Sequence, residues 1–389
     1  MPVPTHCTNL DCRHAFHPTP GWRVKDGWYR TNCVGPVQRY RCLGCGRRLS
    51  DQSESIHFFS KRRLRLPEIF ARLRGGSSMR DIARSEGCSR TAIRSAVLRL
   101  GRQAIAAQAL LLCGSSATDR LVFDGLMSVC GSHDYPVQIH TLVDGRTELI
   151  LTMTHALVRR GGRCSPSQRQ RLERRRMVFE PPAGSLHSSI SLLVRELSRF
   201  IRPNYLDPAV IDTDRLPVYR SILSSDVVTT IWGSHGLIQH RRTSSRRPRT
   251  KSNPLFPVNH VDRLLRHRVI EHSRRSIAIG RNCTMQMHRA WIFAYDHNFV
   301  QPHRVASRDT TCRGVHYGID ADVIRRAQRD FFRRRIDLAP AFVPDSLVSV
   351  WTAALATPPI RWKVRQRSFG PEVPVYARRD LLRAHLHGP

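Results

Sequence analysis

Two pairs of cysteines near the N-terminus have the residue type and the spacing of a metal site. The four residues are Cys7, Cys12, Cys42 and Cys45. Four thiolates satisfy the tetrahedral coordination that Zn²⁺ prefers, and a closed set leaves no open position for chemistry. Gly44 and Gly46 leave room for a tight backbone around the ion, while Cys33 or a nearby histidine could replace one ligand. The spacing therefore predicts a structural zinc ribbon over residues 1–50.

Acidic residues in or after apolar segments form a second group that could do chemistry. Asp124 lies between apolar neighbours in LVFDGLMSV, where a carboxylate is costly to bury unless it is paired or bound to a metal. Asp212 and Asp214 follow the apolar residues 209–211. Because they are two positions apart, both would point to the same face of a strand. The alternation of a strand therefore does not decide which of them carries a function.

A later segment combines polar and basic residues at helical spacing. Asn259, Asp262 and Arg266 share one helix face at i, i+3 and i+7. Glu271 lies nine residues after Asp262 and would point to roughly the opposite side of a helix. The simplest alternative is that Asp262 only pairs with Arg266 on a solvated helix.

The elements that must position these residues change in type along the chain. Three short apolar stretches between Asp119 and Ala156 predict an antiparallel meander, and AVIDTD predicts a further strand. Residues 226–232 (DVVTTIW) also have strand character, whereas the charge run 240–251 predicts a loop. About residues 157–185 form a basic insertion. Helices are predicted at 185–201, 258–278, 285–297 and 320–335, and residues 347–355 form an amphipathic segment.

Residues 56–112 have the pattern of a helix-turn-helix. Ile82 and Ala83 would face inward on a short first helix, Gly87 marks the turn, and a second helix follows with apolar residues at i, i+4 and i+7. In this arrangement the second helix presents polar groups at its start to base edges. The predicted DNA readers are Ser89, Arg90, Thr91 and Arg94.

The charge of the chain indicates a polyanionic partner. It has 64 Lys and Arg against 30 Asp and Glu, a formal net charge of +34, and nucleic acid is the first candidate for such a field. No stretch is apolar enough to span a bilayer, and the N-terminus lacks an apolar signal core. We therefore expect a cytoplasmic protein whose 11 cysteines are free or metal-bound.

In this order, the features resemble the bacterial insertion-sequence transposases of the DDE type, a superfamily that includes the retroviral integrases. Besides the helix-turn-helix, the matching segments are RYRCLGCGRR, FDG at Asp124, DTDRLPVY at Asp214 and LFPVNHVDRLLRHRVIEHSRRSIAIGRN. The resemblance spans about residues 1–300 and implies a mixed α/β fold. A ribonuclease H-like catalytic core (118–300) would follow the zinc ribbon and the helix-turn-helix domain, with a C-terminal helical extension at 301–389.

The resemblance also implies Mg²⁺-dependent (or Mn²⁺-dependent) DNA cleavage and strand transfer. Two such ions, held by Asp124 as the shared ligand and Asp214 as the second, would activate the attacking oxygen and stabilise the leaving one. Asp214 is preferred to Asp212 because a tyrosine follows it after a short gap, as in the second motif of the family. The arginines expected to contact phosphates near the cleaved bond include Arg266, Arg274 and Arg275.

The third metal ligand departs from the family pattern. The family expects a glutamate followed some seven residues later by a basic residue, and the position seven before Arg266 is Asn259. Some related transposases carry Asn here. Asp262 and Asn259 therefore both stay open as the third ligand.

The partners that the resemblance implies are double-stranded DNA, at the element ends and the target, and further copies of the chain, since two ends must be held together. A bacterial, nucleoid-associated location follows. Two alternatives remain: a DNA-binding protein without catalytic activity, such as a regulator or a decayed transposase, and a structure-specific nuclease of the same fold.

Overall fold

A computed structural model describes residues 2–9, 11–115, 118–201, 204, 206–273, 278–304, 308–336 and 344–359. Within these residues the chain has a mixed α/β fold with a three-stranded and a five-stranded sheet, as the sequence predicts. No helix among the described residues combines the length and apolar character needed to cross a membrane.

The N-terminal module is a small antiparallel sheet. Its elements are α1 (Arg13–Phe16), β1 (Arg23–Thr31), β2 (Gly35–Cys42) and β3 (Arg48–Ser50), and the strands pair in the order β1-β2-β3. Trp22, Tyr40 and Leu49 are buried with three of the cysteines in a core that is separate from the main one. The buried Glu54 fixes the module to the rest of the protein, because it accepts a hydrogen bond from the Thr5 amide at 2.5 Å and pairs with Arg334 at 3.2 Å.

Three helices follow, α2 (Leu66–Arg74), α3 (Met79–Ser85) and α4 (Arg90–Leu112). Ser78 and Ser89 cap α3 and α4 by accepting hydrogen bonds from Asp81 and Ala92 amides. Gly87 occupies the turn between them with a φ of 56°, a conformation that favours glycine. The predicted pattern of a short helix, a glycine turn and a longer helix is confirmed.

The five-stranded sheet combines antiparallel and parallel pairs. Its strands are β4 (Arg120–Cys130), β5 (Ser132–Asp144), β6 (Ile150–Leu157), β7 (Ala209–Asp214) and β8 (Ile238–Thr243). Their order is β6-β5-β4-β7-β8. The first three strands form the predicted antiparallel meander, whereas β7 runs parallel to β4 and β8 runs parallel to β7.

Helices cover both faces of this sheet and extend beyond it. They are α5 (Pro166–Arg176), α6 (Ser185–Arg195), α7 (Pro217–Ser225), α8 (Val227–Ser234), α9 (Phe256–Arg268), α10 (Cys283–Phe299), α11 (Arg313–His316), α12 (Ala321–Phe331) and α13 (Asp345–Trp351). Helix α6 packs against β5 and β6, and α9 packs against β4 and β5. Every residue of α10 is buried, which explains why its sequence is not amphipathic.

Among the predicted elements, three differ from the structure in ways that have a clear physical cause, while the helices predicted at 185–201 and 320–335 only end earlier, at Arg195 and Phe331. Residues 226–232 form α8 rather than a strand, because Asp226 caps the helix by accepting the Thr229 amide and this outweighs the β-branched residues. The start of the predicted loop 240–251 belongs to β8, which pairs with β7. The helix predicted at 258–278 ends at Arg268, and a short 3₁₀ turn, Ile270–His272, follows.

One apolar core joins most of these elements. It contains side chains from α2–α4, from the five-stranded sheet, from α9 and α10 and from α13. Helix α4 lies against α10, and Gly101 makes this possible because a Cβ there would collide with His288. A buried ion pair adds a polar link, since Asp296 on α10 pairs with Arg74 on α2 at 3.1 Å and with Arg268 on α9 at 3.4 Å. The helices of residues 66–112 therefore share their core with the sheet.

Candidate functional site

The four N-terminal cysteines converge as a tetrahedral site requires. Their sulfur atoms all lie within 4.8 Å of one another, at 3.6 Å between Cys7 and Cys45 and 3.7 Å between Cys12 and Cys42. Zn–S bonds of about 2.3 Å at tetrahedral angles place the sulfurs about 3.8 Å apart. The cluster could therefore hold a structural zinc ion, and neither Cys33 nor a histidine belongs to it.

The local backbone explains this convergence. Cys42 ends β2, and Cys45 lies in the turn to β3. The turn is closed because the Gly46 amide donates to the Cys42 carbonyl and the Cys42 amide donates to the Arg47 carbonyl. A Cβ on Gly44 would lie 2.7 Å from the His14 ring and 3.3 Å from the Cys12 sulfur. Burial raises the pKa of the Cys7 thiol. For Cys45, burial also acts upward, but hydrogen bonds from the Arg47 backbone and from neighbouring side chains outweigh it and lower the pKa to about 7.

The second group of candidate residues lies on adjacent parallel strands. Val122 of β4 is paired with Asp212 of β7, and Asp124 and Asp214 each follow two residues later. They therefore lie at the same level and on the same face of strands about 4.8 Å apart. The sheet places both carboxylates next to each other.

The pKa values of these residues indicate that their charges interact. Burial and the neighbouring Asp214 carboxylate raise the pKa of Asp124 to about 6. Burial and Asp124 likewise raise the pKa of Asp262 well above its ordinary value. Tyr219 on α7 is buried beside all three carboxylates, and burial together with their charge raises its pKa. The charge of Asp124 thus interacts with Asp214 and with Asp262, and all three carboxylates act on the Tyr219 hydroxyl.

Asp212, the alternative to Asp214, has a different environment. It is fully buried and pairs with Arg120 at 2.8 Å and with Arg241 at 2.9 Å. Both of its carboxylate oxygens accept hydrogen bonds from these guanidinium groups. Asp214 is half-buried, and its Oδ1 accepts the Leu216 amide at 2.7 Å. Asp212 is therefore bound to two arginines inside the sheet, and Asp214 is the aspartate that faces the other carboxylates.

Helix α9 carries the candidates for the third corner. Asp262 has a solvent-shielded Oδ1 without a hydrogen-bond partner among the described residues, while Asn259, one turn earlier, is half-buried. Arg266 donates to the Met127 carbonyl at 3.0 Å, and its charge partly offsets the rise in the pKa of Asp262. Glu271 pairs with the buried Arg289 at 2.6 Å. Asp262 thus points its unsatisfied oxygen into the structure, whereas Glu271 is used elsewhere.

The predicted DNA readers lie at the start of α4. Ser89, Arg90 and Thr91 are exposed, and Arg94 follows one turn later and is half-buried. The Ser89 hydroxyl accepts the Ala92 amide at 3.2 Å, so part of its bonding capacity serves the helix cap. Arg274 and Arg275 lie outside the described residues.

One residue near the carboxylates had no signal in the sequence. Arg249 lies in the loop between β8 and α9, and its charge lowers the pKa of both Asp124 and Asp262 against the rise caused by burial. In the sequence it is one arginine among several in HRRTSSRRPRTK. Arg249 differs from the other arginines of this segment because the loop brings its charge close to the carboxylates of the sheet and of α9.

The three carboxylates suit a hard divalent cation such as Mg²⁺. They provide the oxygen ligands that such an ion prefers. Their like charges raise the pKa values of Asp124 and Asp262, and one buried oxygen of Asp262 has no hydrogen-bond partner among the described residues. A bound cation would offset the repulsion and provide this oxygen with a partner. Among the described residues they do not form as tight a group as the four cysteines. Two parts of the chain thus present metal-ligand chemistry, thiolates in the N-terminal module and carboxylates at the sheet.

Comparison with known proteins does not assign the chain to a family. No protein-family model matches the sequence, and no curated protein matches it either.

Proposed function

We propose that the chain is a DNA transposase of the DDE type, which binds the ends of an insertion element and performs strand cleavage and strand transfer by metal-dependent phosphoryl transfer. The observation that carries this proposal is the meeting of Asp124, Asp214 and Asp262 beside Tyr219. Three acids from two adjacent strands and a following helix are the donors that such a reaction needs.

The order of the elements supports a ribonuclease H-like core. Three antiparallel strands are followed by helices α5 and α6, the parallel strand β7, helices α7 and α8, strand β8 and helix α9. The first acid lies on the first strand of this sheet. The second acid ends the fourth strand, and the third lies on α9. This is the arrangement expected for the resemblance to insertion-sequence transposases.

In this proposal each acid has a distinct task. Asp124 is the ligand shared by two ions, Asp214 is the second ligand, and the free oxygen of Asp262 favours it over Asn259 as the third. The bound Mg²⁺ ions would supply activation of the attacking oxygen and stabilisation of the leaving oxygen. Arg266 and Arg249 place positive charge beside the carboxylates, where the phosphate of a DNA strand would lie.

DNA binding in the proposal belongs to the N-terminal half of the chain. The α3–turn–α4 unit would act as a helix-turn-helix, with Ser89, Arg90, Thr91 and Arg94 at the major groove. The cysteine module and the net charge of +34 would add phosphate contacts. Since two element ends must be held together, the active form would be a homo-oligomer on bacterial nucleoid DNA.

The test is Mg²⁺-dependent nicking of duplexes that carry the terminal repeats flanking the gene. Asn replacements of Asp124, Asp214 and Asp262 should each lower the rate by at least about 100-fold, because each removes a ligand worth several kcal/mol in the transition state. Asp322→Asn is the matched control, since this aspartate is exposed on α12 and should leave the rate unchanged. Asn259→Ala should have the smaller effect of the two α9 variants.

The outcomes separate the proposal from its alternatives. Full activity of both the Asp262 and the Asn259 variants would remove α9 from the site. Tight binding of the repeats without cleavage by the wild-type protein would favour a non-catalytic DNA-binding protein. Cleavage without preference for the repeats would favour a structure-specific nuclease.

A further inference from the structure

A basic pocket lies away from the carboxylates, between helix α5 and the loop that precedes it. Its volume is about 500 Å³. The residues that line it are Arg160, Gly162, Arg163, Cys164, Arg169, Leu172, Glu173 and Arg176. We call it the α5 pocket.

Some arginines of this region hold α5 in place. Asp134, buried near the start of β5, pairs with Arg160 at 2.7 Å, with Arg171 at 2.9 Å and with Arg175 at 3.0 Å. One carboxylate thus binds three guanidinium groups, from α5 and from the loop before it. These three arginines have a structural task, since they attach the basic segment to the hairpin of β4 and β5.

The other arginines of the pocket have no such task. Arg163, Arg169 and Arg176 are exposed, and none of them forms an ion pair with a described residue. Glu173 is the one acidic residue of the lining. Besides the Arg160–Asp134 pair, the pocket therefore carries an excess of positive charge that the protein itself does not neutralise, and an anion would bind there favourably.

The lining favours the phosphates of a continuous strand over a single nucleotide. Arg169 and Arg176 are seven residues apart on α5, about 10 Å along the helix axis, so they suit separate phosphates of a strand better than one phosphate group. No aromatic side chain belongs to the lining, so a free base would find no stacking partner. The pocket therefore offers separated positive charges without a site for a base.

Its position suits the same DNA molecule that would reach the carboxylates. Asp134 lies just beyond the turn between β4 and β5, and Asp124 lies six residues before the end of β4. At about 3.3 Å per residue, the turn is about 20 Å from Asp124 along the strand. This distance is comparable to the width of a DNA duplex.

We propose that the α5 pocket binds the backbone phosphates of a DNA strand through Arg163, Arg169 and Arg176, as a contact additional to the helix-turn-helix. The inference rests on the proposed function for the identity of its ligand.

The first test is the salt dependence of DNA binding, measured in EDTA so that cleavage plays no part. Replacing Arg163, Arg169 and Arg176 by Gln should reduce the slope of log K against log salt by about 2.7, since each lost phosphate contact contributes about 0.9. The matched control replaces three exposed arginines of the α12 region, Arg326, Arg329 and Arg333, and removes the same net charge. Equal slopes for both triple variants would overturn the proposal, because the effect would then reflect net charge alone.

The second test uses Cys164, a half-buried thiol of the pocket, as a reporter. A DNA duplex should slow its alkylation by a maleimide severalfold, measured by peptide mass spectrometry, while the exposed Cys113 serves as the reference. Inorganic pyrophosphate at the same phosphate concentration should give little protection. Unchanged reactivity with DNA, or protection by pyrophosphate alone, would overturn the proposal.

These tests are independent of catalysis. A protein that protects Cys164 on DNA but cleaves nothing would keep the pocket and lose the enzymatic proposal. A protein that cleaves the repeats while Cys164 reacts at its free rate would keep the enzyme and lose the pocket.

Discussion

Replacement of Asp124 by Asn should stabilise the metal-free protein at neutral pH. The carboxyl has a pKa of about 6 in the folded protein against an ordinary value of 3.8. Because the folded value is the higher one, the folded state binds more protons between about pH 4 and 6, and stability is lost as pH rises through this window. At about 1.36 kcal/mol per pH unit the full cost is about 3 kcal/mol. Screening at this half-buried site reduces the expected gain in the Asn variant to about 1–3 kcal/mol.

The assay is thermal unfolding of both proteins between pH 4 and 8, with EDTA or with Mg²⁺. In EDTA the Tm of Asp124→Asn should match that of the wild type near pH 4 and exceed it by a few degrees at pH 7. Mg²⁺ should raise the Tm of the wild type at pH 7, since a cation bound only to the folded state stabilises it. The Asn variant should respond much less, because it lacks the shared ligand.

Asn replacement of Asp212, the aspartate buried in the sheet, should instead destabilise the protein. Asp212→Asn leaves Arg120 and Arg241 without their carboxylate, and breaking such a buried pair costs about 3–5 kcal/mol. An Asp124→Asn variant that is less stable than the wild type at pH 7 in EDTA would contradict the raised pKa of this carboxyl. A difference in Tm that does not change with pH would refute it as well.

Two further changes test the local structure. Gly44→Ala should lower the zinc content of the purified protein, measured by elemental analysis, because the added Cβ would lie 2.7 Å from the His14 ring beside the cysteines. The control Gly233→Ala, whose added Cβ meets open space, should retain the metal. Full zinc in the Gly44 variant would contradict the expected crowding. Asp226→Ala should lower the free energy of unfolding by about 1 kcal/mol, because α8 loses its N-terminal cap. Urea denaturation measures this change. An unchanged midpoint would show that the cap does not stabilise this helix.

The features that the sequence predicts well are those whose pattern is contained in short segments of the chain. The spacing of the four cysteines within two short pairs predicts the metal site. The meander from β4 to β6 is predicted because turn residues separate its apolar stretches. The same holds for Ser89, which begins α4 as a helix cap. In each case a short segment carries the signal, although the two cysteine pairs that meet are about thirty positions apart.

Where the predicted element type is wrong, the observed type is determined by contacts between residues distant in the sequence or by a single capping residue. Strand β8 is rich in arginine and has no apolar alternation, but it pairs along its whole length with β7, about thirty residues earlier. In α8 the residues 227–231 favour a strand by propensity, but Asp226 starts a helix instead. Propensity is a weak guide wherever pairing or capping acts against it.

The choice between Asp212 and Asp214 shows why the site itself needs the structure. Both residues have the same neighbours in sequence and the same side of the strand, so no local pattern separates them. Arg120 and Arg241 separate them, and these arginines lie 92 and 29 positions away from Asp212. Because the two guanidinium groups neutralise Asp212, it can be buried completely. Asp214 lies beside Asp124 and forms no such pair with any residue that the structure describes. A carboxylate left next to another carboxylate raises the energy of the folded protein, and a bound cation is the simplest partner that would remove this cost.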